Sequence, residues 1–188
     1  MKSLGSISRK FTIERASSST REGYMYTELL GKLISNLWSL ETVIRYFISI
    51  RLNESTPDIY EIEIGDEVED SYFTNFKSLD QLIEKYNSLC SHDFQKIDKE
   101  RVLDIRDLLA HGRIHVTDKI DANNWYLVKF SDPKKDSGKK IMLTHKVKPN
   151  NDSGAWIKES IKFISEQLHR VGKSGNFEII QNKKTTRE

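Results

Sequence analysis

Between Tyr24 and Leu52 the apolar residues Leu29, Leu33, Leu37, Leu40, Ile44 and Phe47 step by four, four, three, four and three, the period of one helix face held over many turns. Leu30, Ile34, Val43 and Ile48 widen that stripe beyond a coiled-coil seam, so this helix has to be surrounded rather than merely paired. The expected fold is therefore mainly α: a four-to-five-helix bundle with the long helix at its centre. Glu41 and Arg45 on it form an i,i+4 pair of opposite charge, read as a surface pair of about 0.2–0.5 kcal/mol.

Pro57 ends the first helix region, because proline disfavours helix at the residue before it and has no amide to donate. Ile59-Tyr60-Glu61-Ile62-Glu63-Ile64 alternates like a strand but is short and acidic, and is read as a loop with some extended character. Ser78-Leu79-Asp80-Gln81 has the capping-box pattern. It starts a second helix with Leu79, Leu82, Ile83, Tyr86 and Leu89 on one face, ending near Cys90 or His92. A third helix is expected from about Asp98 to Ala110 or His111, stopped by Gly112 in the left-handed cap conformation. Arg113 to Thr117, Trp125 to Phe130 and Lys140 to Val147 mix β-branched and aromatic residues between turn-rich stretches, and predict a small antiparallel hairpin or meander. Ile157, Ile161, Ile164 and Leu168 define a last helix from about Ala155 to Val171, ended by Gly172. The expected organisation is a leader at 1–21, one helical domain at 22–172 with the β insertion at about 113–148, and a tail at 173–188. The leader and tail are expected to be flexible.

The chain has 188 residues, 37% of them hydrophobic, enough for one core of ordinary size. Its net charge of +2 carries no global nucleic-acid signature. The charge is unevenly placed, however. Asp58, Glu61, Glu63, Asp66, Glu67, Glu69 and Asp70 follow one another without a lysine or arginine, whereas Lys134, Lys135, Lys139, Lys140, Lys146 and Lys148 gather in the last third. The lysines are read either as solvated loop residues or as contacts to phosphates, with Lys134, Lys135, Lys139 and Lys140 the candidates. The single cysteine, Cys90, excludes an internal disulfide and fits a reducing, cytoplasmic setting. It is expected to pack as a small hydrophobe. No apolar run approaches a membrane span, so no membrane association is expected. The serine-rich N-terminus lacks the amphipathic face of a transit peptide and contains Glu14.

Chemistry concentrates in Arg106-Asp107-Leu108-Leu109-Ala110-His111-Gly112. On a helix Asp107 and His111 share one line, with Arg106 beside them, while Val102, Ile105, Leu108 and Leu109 face the other way. Imidazole moves protons near neutral pH, guanidinium suits a phosphate gaining charge, and a carboxylate one turn away orients the imidazole or favours its protonated form. This kit suits metal-independent phosphodiester cleavage. No cofactor is expected and no metal, since no second histidine or carboxylate cluster completes a ligand set. The same three residues also describe an ordinary helix terminus, with histidine at the dipole's negative end and glycine as the stop. His92, His115, His145 and His169 have no comparable setting.

The run Ile105-Arg106-Asp107-Leu108-Leu109-Ala110-His111-Gly112 resembles the Arg-polar-x-x-x-His signature of the HEPN superfamily. The helix order from about Tyr24 to Val171 agrees with that family, while the acidic segment and lysine-rich insertion have no assigned counterpart in it. The resemblance implies a helical bundle that dimerises with its motif helices side by side, forming a composite site from two copies of Arg106, Asp107 and His111. It implies an endoribonuclease of the toxin–antitoxin or antiviral kind, in which the RNA 2′-hydroxyl attacks the neighbouring phosphate. Arg106 would stabilise the phosphate, His111 would transfer protons or position the scissile group, and Asp107 would orient them. An antitoxin or regulatory protein is the further partner implied. Small Ala110 permits close helix approach, and Trp125 and Tyr126 are read as core residues or as a stacking surface. Two other readings stay open: a non-catalytic HEPN-like module binding a nucleotide or protein, and a structural helical adaptor.

Overall fold

The computed structural model describes residues 21–58, 60–116, 125–130, 143–147 and 153–175. The protein is mainly α, with a small antiparallel sheet between the third and last long helices. Helix α1 (Arg21–Arg51) is followed by α2 (Leu79–Leu89), a 3-10 turn (Asp93–Gln95) and α3 (Lys99–His111). Strands β1 (Arg113–Val116), β2 (Trp125–Phe130) and β3 (Leu143–Val147) then form a meander in that order, and α4 (Ser153–Gly175) closes the fold.

Helix α1 is the organising element the apolar period requires. Leu33, Leu37, Leu40, Ile44, Phe47 and Ile48 are buried along it and meet Leu82, Ile83 and Tyr86 of α2, Val102 and Ile105 of α3, and Phe163, Ile164 and Val171 of α4 in one core. Phe47 and Tyr86 pack edge to face, ring centroids 4.8 Å apart, which suits the opposed charge of ring face and edge. The helix ends where Asn53 adopts a positive φ of 56°, a conformation asparagine tolerates better than most residues. Helix α2 begins on the expected capping box: Ser78 accepts from the Gln81 amide, and the Gln81 side chain accepts from the Ser78 amide.

Three expectations are corrected. Arg45 does more than pair with Glu41. Its guanidinium also donates to the carbonyls of Tyr72, Asn75 and Lys77 and to the Asn75 side chain, at 2.8 to 3.2 Å, and its side chain is only 13% exposed. The planar fork thus secures the loop leading into α2. Gly172 does not stop α4, which continues to Gly175 and so takes in the first residues assigned to the tail. Val171, completely buried, anchors that turn to the core, and its packing outweighs the roughly 1 kcal/mol helical penalty of glycine. The acidic segment is a loop, as expected, with turns at Tyr60–Glu61 and Ile64–Gly65 that leave Tyr60 and Ile64 fully exposed. Gly112 is not left-handed; its φ of −66° and ψ of 149° are extended, because the chain passes directly from α3 into β1. Cys90 is half-buried at the end of α2, and burial raises its thiol pKa. The leader at 1–20 and the rest of the tail lie outside the described residues. Among the described residues, no helix is long and apolar enough to cross a membrane.

Candidate functional site

Helix α3 starts at Asp98, whose carboxylate accepts from the Arg101 amide, an N-cap that satisfies one of the free donors of the first turn. From there the helix divides as its period predicts. Val102, Ile105 and Leu108 are buried and Leu109 packs half-buried against the core. Arg106 and Asp107 lie at the margin, while Ala110 and His111 are exposed.

The motif residues are held in place by the end of the helix. The Gly112 amide donates to the Leu108 carbonyl at 2.9 Å. A Cβ on residue 112 would fall 2.1 Å from that oxygen and 2.8 Å from Leu127 Cδ1. Glycine is therefore required by close approach: strand β2 slides under the helix terminus where a side chain would stand. Leu127 and Lys129 share one face of β2. Two strand residues advance about 6.7 Å, and the five helix residues from Gly112 back to Asp107 span about 7.5 Å. With Leu127 seated at Gly112, Lys129 is brought level with Asp107.

The resulting cluster joins two elements. Arg106 Nη1 lies 2.9 Å from Asp107 Oδ1, and Lys129 Nζ lies 3.6 Å from Asp107 Oδ2. Lys129 is 20% exposed, and Arg106 and Asp107 are about one third exposed. The Arg106–Asp107 contact is one of charge without hydrogen-bond alignment: Asp107 Oδ1 and Arg106 Nε are both closed to solvent with no hydrogen-bond partner among the described residues. Successive helix residues point about 100° apart, which accounts for the poor alignment. A bulge follows at Lys129/Phe130 in the β2–β3 pairing, a device that re-aims strand side chains. The Arg113 guanidinium stands over the exposed Phe130 ring, 5.9 Å from its centroid.

The structure thus brings Arg106 and Asp107 together but turns the carboxylate toward two cations rather than toward His111. No hydrogen bond or ion pair joins the His111 side chain to another described residue; it stands exposed at the last helical position, where the unsatisfied carbonyls favour a cation. Lys134, Lys135, Lys139 and Lys140 lie outside the described residues, as do the side chains of Trp125 and Tyr126. Lys129 is the site residue that sequence reasoning missed. Its signal was slight: the one charged residue in the otherwise apolar and aromatic Trp125–Phe130 run. His92 stacks on Phe94, centroids 5.2 Å apart, away from the motif. Among the described residues no group of three histidine, cysteine or carboxylate side chains is placed to hold a metal ion.

Comparison of the chain with protein-family models, with curated proteins and with solved structures gives no match. What fold and site define is a helical protein whose third helix presents arginine, carboxylate and imidazole at one end, backed by a lysine from an adjoining sheet.

Proposed function

We propose that the protein is a metal-independent endoribonuclease of HEPN type, acting in the cytoplasm in a toxin–antitoxin or antiviral role. The observation that carries this reading is the division of α3: its apolar face is consumed by the core, leaving Arg106 and Asp107 at the margin and His111 free of any described partner. A proton-transfer group must be reachable by substrate, and a phosphate-binding arginine must be held in place. Both conditions are met at the same helix end.

In this reading two copies pair through α3, with exposed Ala110 allowing close approach, and RNA lies across the joint site. His111 takes the proton of the 2′-hydroxyl as its oxygen attacks the adjacent phosphorus. The bond to the 5′-oxygen breaks, that oxygen receives a proton, and a 2′,3′-cyclic phosphate remains. Arg106 stabilises the charge gathered on the non-bridging oxygens. An antitoxin or regulatory protein would act by covering this end of the helix.

The test is incubation with RNA in excess chelator. Cyclic-phosphate ends in the wild type, with a loss of about 10²–10⁴-fold in His111→Ala and a comparable loss in Arg106→Ala, are expected. A second reading, a non-catalytic nucleotide- or protein-binding module, is favoured by one observation: Asp107 already partly neutralises Arg106. Intact RNA together with retained nucleotide binding would establish that reading instead.

A further inference from the structure

We infer that the Asp107 carboxylate holds the place of a phosphate group between Arg106 and Lys129, and that Lys129 is the second phosphate-binding cation of the site. As regards RNA, this rests on the function proposed above. The geometry supplies the argument. Two cations from different elements, one helical and one from a strand, converge on the two oxygens of a single carboxylate, Oδ1 at 2.9 Å and Oδ2 at 3.6 Å. A phosphodiester presents its two non-bridging oxygens to a pair of cations in the same bidentate manner.

The contact also leaves buried polar atoms without aligned partners, as the Asp80–Lys99 pair does at Asp80 Oδ1, but here on both the cation and the carboxylate. Arg106 Nε is closed to solvent and donates to no described acceptor, and Asp107 Oδ1 accepts no aligned hydrogen bond from the guanidinium beside it. One donor of the guanidinium and one acceptor of the carboxylate are left unused, which is costly for polar atoms closed to solvent. The other well-placed arginine of the chain is different: Arg45 spends its fork on carbonyls and on Glu41 at 2.8 to 3.2 Å. Arg106 and Lys129 hold a weaker acceptor set, and a phosphate entering from the exposed side displaces Asp107 and satisfies both. Lys129 is positioned for this by Leu127 seated at Gly112, so the cation separation is set by the helix–strand junction rather than by a mobile loop.

Binding of a 2′-O-methylated, uncleavable RNA by fluorescence anisotropy across a salt series tests the inference. Asp107→Asn is expected to bind at least several-fold more tightly than wild type, because the competing charge is gone. Lys129→Met is expected to bind more weakly and to lower the slope of log affinity against log salt by about 0.7, one single-strand phosphate contact; Lys129→Arg is expected to restore the slope. Unchanged or weaker binding by Asp107→Asn, or an unchanged slope in Lys129→Met accompanied by a lower melting temperature, would show a structural tether and overturn the inference. Inorganic pyrophosphate separates its failure from that of the RNA reading. If no variant binds RNA but pyrophosphate raises the melting temperature of Asp107→Asn more than that of wild type, and not that of Lys129→Met, the phosphate site stands and the RNA reading fails. If pyrophosphate shifts none of them and RNA is not bound, the inference fails as well.

Discussion

Leu127 Cδ1 occupies the space beside Gly112 where a side chain would begin, 2.8 Å from the position of a Cβ. This contact joins the motif helix to the sheet and brings Lys129 level with Asp107. Gly112→Ala is therefore expected to push β2 off the helix end and to clash with the Leu108 carbonyl. Destabilisation of about 1–3 kcal/mol, the usual range for overpacking, is predicted in urea melts. Leu127→Ala in the same background should recover part of that loss; a double variant no better than Gly112→Ala would place the strain in the backbone alone.

Arg45 is the main polar support of the loop before α2, with a side chain only 13% exposed. Arg45→Ala should cost about 1.5–3 kcal/mol, the range for hydrogen bonds to a charged group, read as a lower urea midpoint at constant m-value. Arg45→Lys should recover little, since an ammonium cannot span three carbonyls and a carboxylate as the planar fork does. Equal stability of the lysine and wild-type proteins would contradict this role.

Tyr86 is completely buried, and its hydroxyl donates to the Gln95 carbonyl at 3.1 Å. Burial, as the largest cause, raises its phenol pKa well above the ordinary value. The folded state then holds this proton where the unfolded chain releases it, so stability falls as pH rises beyond about 10. Tyr86→Phe should lose about 1 kcal/mol near neutral pH, the worth of the hydrogen bond, and lose less than wild type on further alkalinisation. Lys99, whose pKa is raised by hydrogen bonds to Asp80 and Glu84, weakens both proteins in the same alkaline direction. The Cys90 thiol, raised by burial and hydrogen-bonded to the Tyr86 side chain, acts in the same direction, so the circular-dichroism melts against pH are compared in a Cys90→Ala background; parallel curves for the two proteins would count against the role of Tyr86.

Ser78→Ala removes the side-chain acceptor for the Gln81 amide and should cost about 1 kcal/mol. Ser78→Asp, which restores an acceptor and adds charge at the positive helix end, should return stability to the wild-type level or above it in the same melts.

The features legible in the sequence were those written in local periodicity. The stripe from Leu33 to Phe47, the capping box at Ser78 and the turn-separated strands each follow from contacts within a few residues, and each is present in the fold. The segregation of Arg106, Asp107 and His111 from Val102, Ile105 and Leu108 is local too, being a consequence of helical turn. What sequence order did not reveal depends on distant residues. Gly112 has to be glycine because the Leu108 carbonyl and Leu127 fill its side-chain space, Gly172 is helical because Val171 is buried in the core, and Arg45 is structural because the loop from Tyr72 to Lys77 folds back onto it.

The sequence by itself determined a helical body around one broad apolar helix and the three motif side chains at the margin of another, since both follow from a rotation of about 100° per residue. Tertiary structure alone decided what those side chains meet. Asp107 faces Arg106 and Lys129 instead of His111, because a carboxylate takes the nearest cations that packing delivers, and the strand carrying Lys129 lies twenty-two residues further along the chain.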